Sequence, residues 1–187
     1  MSKNKIIDAA ERVFSQKGYY QTTMQDIADE AKVAKGTLYY HFKSKDELFI
    51  ELLESGTGFI THELQKSFNK QIPLKAQIKE FIKEAISICL KYKTFTDILF
   101  NELSSGMEDE VLERVEVLKY KYIGIFKEIL DEGYREGCVR EINRELAAIS
   151  LMTTLYHLSD HISEKKCTVE EVETFLIGYI SQGILTT

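Results

Sequence analysis

Apolar residues recur along this chain at intervals of three and four, the spacing of one buried helix face, and strict alternation is absent. Ile6, Ala10, Val13 and Phe14 mark a first helix of about fourteen residues that stops at Gly18, a residue suited to a helix C-cap. Next, Thr22 with Gln25, or Thr23 with Asp26, has the spacing of a capping arrangement. Either opens a short helix that carries Met24, Ile27 and Ala28 and ends near Glu30 or Ala31. Residues 32–35 form a tight connection, and residues 36–42 make a second short helix with Leu38 and Phe42 on its inner side. Two short helices joined by about four residues are a helix-turn-helix.

Ser44 and Glu47 then have the spacing of a capping box and announce a long helix. Leu48, Leu52, Phe59, Ile60, Leu64 and Phe68 carry it to about residue 70. Pro73 sits where a new helix would place its first residue. Leu74, Ile78, Phe81, Ile82, Ala85, Cys89 and Tyr92 follow one stripe; Phe95, Ile98, Leu99 and Leu103 make a shorter one. Val111, Val115, Leu118, Tyr122, Phe126, Ile129 and Leu130 mark another long helix ending around residues 133–137. Asn143 caps the next, and Thr168 with Glu171 caps the last. The expected fold is all-α, with about nine helices and no strand or internal repeat. No glycine-serine or proline-rich tether interrupts it, so the boundary between a first domain, residues 1–48, and a second, residues 49–187, is expected within the long helix.

The last two helices differ from the others. Leu146, Ala147, Ile149, Leu151, Met152, Leu155, Tyr156, Leu158 and Ile162 cover more than one face of theirs. Val172, Phe175, Leu176, Ile177, Tyr179, Ile180, Ile184 and Leu185 do the same on the other. A helix apolar over a wide arc is buried on two sides. Either both helices are central in one monomer, or a second copy of the pair covers them in a two-fold homodimer; the latter is the expectation.

Composition narrows the class. The chain has 187 residues, 44% apolar and 29% charged, with one proline, where roughly nine would be usual. That deficit disfavours an all-β sandwich. No window reaches the 18 or so apolar residues of a membrane span, and Lys3, Asn4 and Lys5 lead into a charged amphipathic segment, which points to a cytoplasmic protein. Cys89, Cys138 and Cys167 lie 49 and 29 residues apart and read as reduced packing residues. The net charge of −6 argues against a nucleic-acid partner until the chain is divided. Residues 1–48 hold eight Lys/Arg and seven Asp/Glu, a net of +1; the rest hold sixteen and twenty-three, a net of −7. Residues 31–45 carry Lys32, Lys35, Lys43 and Lys45 and no acid. Such a segment is either a solvated face or a local polyanion contact.

The helix-turn-helix decides between these. Its second helix would enter a major groove, with Leu38 and Phe42 inward and Lys35, Thr37, Tyr39, Tyr40 and His41 outside, unless one of the two tyrosines is a core aromatic. Gly36 lets backbone approach DNA closely or simply fits a tight turn. Thr37 and Tyr39 suit thymine methyl groups and base edges; Tyr40, His41 and Lys45 suit phosphate oxygens. Lys43 reads as a solvated charge. Thr23 is a candidate contact or only a cap.

The stretch from Thr22 through Asp26-Ile27-Ala28 and Lys35-Gly36-Thr37-Leu38-Tyr39-Tyr40-His41-Phe42 to Lys45 and Leu48, with Ile7, Phe14, Gly18 and Tyr19 ahead of it, resembles the DNA-binding signature of the TetR family of bacterial regulators. At motif level the resemblance covers about the first 50 residues; beyond them it is architectural. It implies that Gln25 also faces bases and that Lys45 contacts the DNA backbone. It further implies a homodimer on an inverted-repeat operator, and a second domain that binds a small-molecule effector and releases DNA. Candidate pocket residues are Tyr92, Phe95, Phe100, Tyr120, Tyr122, Phe126, Tyr156 and His157, suited to an apolar or aromatic effector.

His157 and His161, four apart, share a helical face, but no third ligand is evident, and neither a metal nor a cofactor is expected. No phosphate loop, nucleophile elbow or paired-carboxylate constellation points to an enzyme. Two readings follow: a ligand-responsive homodimeric transcriptional repressor, and an all-helical ligand-binding or adaptor protein that does not bind DNA. The outward residues Lys35 to His41 and Lys45 favour the first.

Overall fold

A computed structural model describes residues 2–66, 72–101 and 108–186, and its described residues form nine helices. They are α1 (Ser2–Gln21), α2 (Met24–Ala31), α3 (Lys35–His41), α4 (Lys45–Lys66), α5 (Leu74–Lys91), α6 (Lys93–Asn101), α7 (Asp109–Arg135), α8 (Arg144–Ser163) and α9 (Val169–Gly183). The fold is all-α, as the spacing predicts. Phe68 and Leu103, placed in helical stripes above, lie outside the described residues.

The helix ends show why the chain breaks where it does. Gly18 does interrupt α1, at φ 74° and ψ 165°, a conformation open to glycine, but one further helical turn follows it before Thr22. Thr23, not Thr22, caps α2: its hydroxyl accepts from the Asp26 amide at 3.1 Å, and the Asp26 carboxylate accepts from the Thr23 amide at 2.9 Å. Lys17's ammonium, then the Thr23 hydroxyl and amide, hold the Asp26 carboxyl well below the usual carboxylate range. Lys32, left-handed at φ 53°, closes α2. Ser44 accepts from the Glu47 amide at 3.1 Å, while the Glu47 carboxylate reaches back to the Lys43 amide at 2.6 Å, one residue earlier than a standard capping box. Pro73 is the N-cap of α5, not its first residue, and its carbonyl accepts from Ala76 and Gln77. Asn143 and the Thr168–Glu171 capping box open α8 and α9 as the spacing predicts.

The chain forms two compact units. The first takes the residues through Gly58 together with Thr94–Lys119; the second takes Phe59–Lys93 and the residues from Tyr120 onward. In the first, Ile6, Phe14, Ile27, Leu38, Phe42, Leu48, Phe49 and Leu53 are buried, and the rings of Phe14, Tyr19 and Phe49 pack on one another at centroid distances of 4.7–5.9 Å. α4 and α6 approach closely because position 56 has no side chain: a Cβ there would stand 2.1 Å from the Phe95 ring.

In the second unit, α5 packs on α8 and α9, and Phe81, Tyr122 and Phe126 form a buried aromatic cluster. The chain end is tied down by an isolated antiparallel bridge between Val139 and Leu185, and Arg140 donates to the carbonyls of Ile184 and Leu185. Leu151, Met152, Leu155, Val172, Leu176 and Ile180 turn inward, whereas Leu146, Phe175 and Tyr179 stay exposed, the last two stacked at 6.2 Å.

Two glycines of α4, two residues apart, provide a test of this packing. Gly56→Ala should destabilise by about 1–3 kcal/mol through overpacking against Phe95, measured by denaturant titration. Gly58→Ala, whose Cβ meets nothing within 4 Å, should be neutral or stabilising by about 0.5–1 kcal/mol. Equal effects at both positions would refute the α4–α6 contact.

Candidate nucleic-acid interface

α3 packs against α1 and α2 through Leu38 and, just past its end, Phe42, which are 0% and 1% exposed. The helix period then sends the intervening residues outward. Lys35, Gly36, Tyr39 and Tyr40 are exposed; Thr37 and His41 are half-buried. The question of an inward tyrosine is resolved by the numbers: Tyr39 is 39% exposed and Tyr40 78%, so neither is core. Position 36 has open space around it, with nothing within 4 Å of an added Cβ. Glycine is therefore not required there by the protein's own packing.

Around this helix, several candidate side chains are already engaged. Thr23's hydroxyl serves the α2 cap, donating to Asp26 at 2.7 Å. Gln25, exposed, donates its amide to Asp29 on the same helix at 2.8 Å. Lys35 Nζ lies 5.9 Å from the centre of the Tyr39 ring. His41 Nε2 sits 2.6 Å from Ser2 Oγ, and nothing in the sequence pairs these residues, 39 apart. Lys45 turns back toward α1: its ammonium donates to the carbonyls of Tyr19 at 2.7 Å and Thr22 at 3.1 Å. Sequence spacing identified Lys45 but could not show this direction, because the carbonyls it meets belong to a corner more than twenty residues earlier.

The candidate effector residues divide between the two units. Phe95, buried, and Phe100, half-buried, belong to the first. In the second, Tyr122 and Phe126 are buried, and the Tyr122 hydroxyl lies 3.7 Å from Cys89 Sγ. Burial pushes the Cys89 thiol up to about 11 and raises the Tyr122 phenol as well. Tyr156 is buried beneath Lys93 Nζ, 5.5 Å from its ring; Tyr92 is half-buried with an edge contact to Phe59. Tyr120 is exposed, and so is His157, whose Nδ1 lies 3.9 Å from Asp160. Two buried atoms that sequence reasoning passed over have no hydrogen-bond partner: Thr57 Oγ1 in the first unit and Gln77 Oε1 in the second. Isolated polar residues in helical stripes carry no spacing signal. Among the described residues, no group of three or more His, Cys, Asp and Glu side chains could hold a metal ion, and no helix is long and apolar enough to cross a membrane.

A helix-turn-helix held by its inner face, with lysine and tyrosines on its outer face, defines a DNA-binding transcriptional regulator. Comparison with known proteins shows what it is similar to. Residues 6–52 match the bacterial regulatory proteins of the tetR family. The fatty acid metabolism regulator protein of Bacillus subtilis (strain 168) is 27% identical over 137 residues, 73% of this chain and 70% of its own length. A Clostridium perfringens protein provisionally described as a fatty acid metabolism regulator has a TM-score of 0.82 at 29% identity, over 98% of this chain and all of that one. FadR from Bacillus subtilis, solved in complex with stearoyl-CoA, shares the fold with a TM-score of 0.82 at 23% identity, over 97% of this chain and 98% of that one. The match over residues 6–52 and these relatives together support the tetR family of bacterial regulatory proteins.

Since packing leaves position 36 free, Gly36→Ala isolates its use toward DNA. The variant should melt at or slightly above the wild-type temperature, because alanine favours a helix by about 0.5–1 kcal/mol. Its affinity for operator should nevertheless fall, measured by fluorescence anisotropy. Undiminished binding would show that no backbone approach is needed there.

Proposed function

We propose that the protein is a homodimeric repressor of the cytoplasm, a binding protein and not an enzyme, that occupies an inverted-repeat operator and leaves it when an effector binds. In this reading residues 1–48 read DNA, and residues 49–187 bind the effector and dimerise. The observation that carries it is the outer face of α3, where Lys35, Tyr39 and Tyr40 are exposed while Leu38 and Phe42 anchor the helix from behind. Thr37 and Tyr39 of α3 and Gln25 of α2 meet base edges. Lys35, Tyr40 and His41 meet phosphates. Thr23 works as the cap that fixes the start of α2.

Dimerisation through α8 and α9 is supported by Leu146, Phe175 and Tyr179, large side chains that the single chain leaves exposed on helices otherwise rich in apolar residues. A self-complementary two-fold contact is the economical way to cover such a face. For the effector we propose a ligand with an acyl chain. The Bacillus subtilis relative is named for regulating fatty acid metabolism, and the fold neighbour FadR was solved with stearoyl-CoA. The buried Tyr122, Phe126 and Tyr156 fit an apolar ligand, and Gln77 Oε1 offers a buried acceptor in the same unit.

Anisotropy titrations with a selected operator and with random DNA test the reading. Tyr39→Ala should cost about 1–3 kcal/mol of operator discrimination, while Lys35→Ala should weaken both DNAs alike and lower the salt slope by about one unit. Stearoyl-CoA should lower operator affinity by about 5 to 150-fold, and operator should lower stearoyl-CoA affinity by the same factor. Failure of the wild type to prefer any sequence would overturn the DNA-reading assignment; indifference to stearoyl-CoA and shorter acyl-CoA thioesters would overturn the effector assignment alone.

A further inference from the structure

The first turn of α4 holds the corner between α1 and α2 from two sides. Gly18 breaks α1, the chain makes one more turn, and Thr22 donates its hydroxyl to the Gly18 carbonyl at 2.7 Å. Within that turn the carbonyls of Tyr19 and Thr22 converge on one point, where they meet Lys45 Nζ at 2.7 and 3.1 Å. The same nitrogen lies 4.1 Å from the centre of the Tyr19 ring, within cation–π range. Asp46, the next residue of α4, accepts the Tyr19 hydroxyl. Tyr19 is itself only 5% exposed and stands against Phe14 and Phe49.

An ammonium has three N–H bonds and no acceptor. Two of the three are spent on backbone carbonyls inside the protein, and a ring face covers a further side. The carbonyl of Thr22 immediately precedes Thr23, whose amide and hydroxyl form the cap of α2. The ammonium thus holds the backbone where the helix-turn-helix begins. α3 is placed by α2 and α1, so an error at this corner passes directly to the outer face that reads DNA.

We propose that Lys45 is a positioning residue, which with Asp46 and Tyr19 locks the start of α4 to the α1–α2 corner and so sets the angle at which α3 meets the groove. This departs from the expectation, drawn from the family resemblance, that Lys45 serves as a phosphate contact. It rests on the DNA-binding reading above and adds a division of labour. Lys35 supplies charge to the DNA, whereas Lys45 supplies rigidity to the reader. One mechanical consequence follows: α1, α2, α3 and the first turn of α4 move as one body, because sliding α4 against the corner would break three polar contacts at once.

The two roles of Lys45 separate experimentally. A phosphate contact contributes about 0.9 to the slope of log affinity against log salt concentration. A positioning residue leaves that slope unchanged and alters operator preference. Lys45→Met keeps the length and apolar stem of the side chain and removes the ammonium. Full-length Lys45→Met and Lys45→Arg are compared with wild type for operator and random-DNA affinity across salt, and for amide hydrogen exchange at Thr23, Asp26 and Ile27 without DNA.

The proposal expects faster exchange at those amides in Lys45→Met, and operator affinity falling toward the random-DNA value at an unchanged salt slope. Lys45→Arg should not restore preference, because the planar guanidinium is too broad for a point enclosed by two carbonyls and a ring. A slope lower by about 0.9 with exchange unaltered, or full restoration by arginine, would overturn it. If Lys45→Met does not fold, Tyr19→Phe, which removes only the hydroxyl bonded to Asp46, gives the same reading: faster exchange at the three amides supports the lock, and unaltered exchange refutes it. Wild-type protein that selects no operator would strike at the DNA-binding reading, while the exchange result, taken without DNA, still decides whether the lock exists.

Discussion

A seven-residue helix makes too few internal hydrogen bonds to persist in water, so α3 exists because Leu38 and Phe42 bury their side chains against α1 and α2. That burial also decides function. Fixing the inner face of so short a helix leaves no choice about which residues face outward, and Lys35, Gly36, Tyr39 and Tyr40 are therefore presented together. Reader and core are one interaction seen from opposite sides. The capped start of α2 and the left-handed Lys32 that ends it serve the same purpose, since each fixes where the next helix begins.

Charge works locally in this molecule. A chain of net charge −6 has no general attraction for DNA, and long-range attraction would in any case be screened beyond about 8–10 Å at ordinary salt. The relevant quantity is which cations stand free near α3. Counting lysines in residues 31–45 overstates that number, because Lys45 is directed into the protein, where burial lowers its pKa. Aromatic side chains make up the difference: tyrosine offers a hydroxyl for phosphate or base edges and a flat apolar face for thymine methyl groups. A site with few free charges and several aromatics should discriminate more among sequences than it binds DNA at large.

Most helix boundaries were legible because caps are local chemistry. Asn143 and the Thr168–Glu171 pair act within three residues of themselves, and their spacing alone predicts their bonds. Where two local options competed, the choice needed the fold: Thr22 and Thr23 both had suitable partners, but Thr22 is buried with its hydroxyl donating back to the Gly18 carbonyl, and Thr23 forms the capping box with Asp26. The recognition face was legible for a similar reason, since a helix with two apolar residues four apart has only one inside. The pairings of Ser2 with His41, Lys45 with Tyr19 and Thr22, and Asp46 with Tyr19 were not, because each joins segments more than twenty residues apart.

The effector residues show the same divide. Aromatic identity marked Tyr122, Phe126, Tyr120 and His157 alike, yet the first two are buried and the last two exposed. One-dimensional periodicity tells which residues share a helix face but not what that face meets, and a broad apolar arc makes even the face ambiguous. Sequence therefore sufficed for the class of fold, most of the caps and the outward face of α3, where interactions span a turn or less. Long-range packing was needed to show that Lys45 looks inward, that Gly56 is a contact point and Gly36 is free, and that Thr57 and Gln77 carry buried polar atoms without partners. The reason is physical: hydrogen bonds and steric limits act over a few ångströms of space, and only within a single helical turn does closeness along the chain guarantee closeness in space.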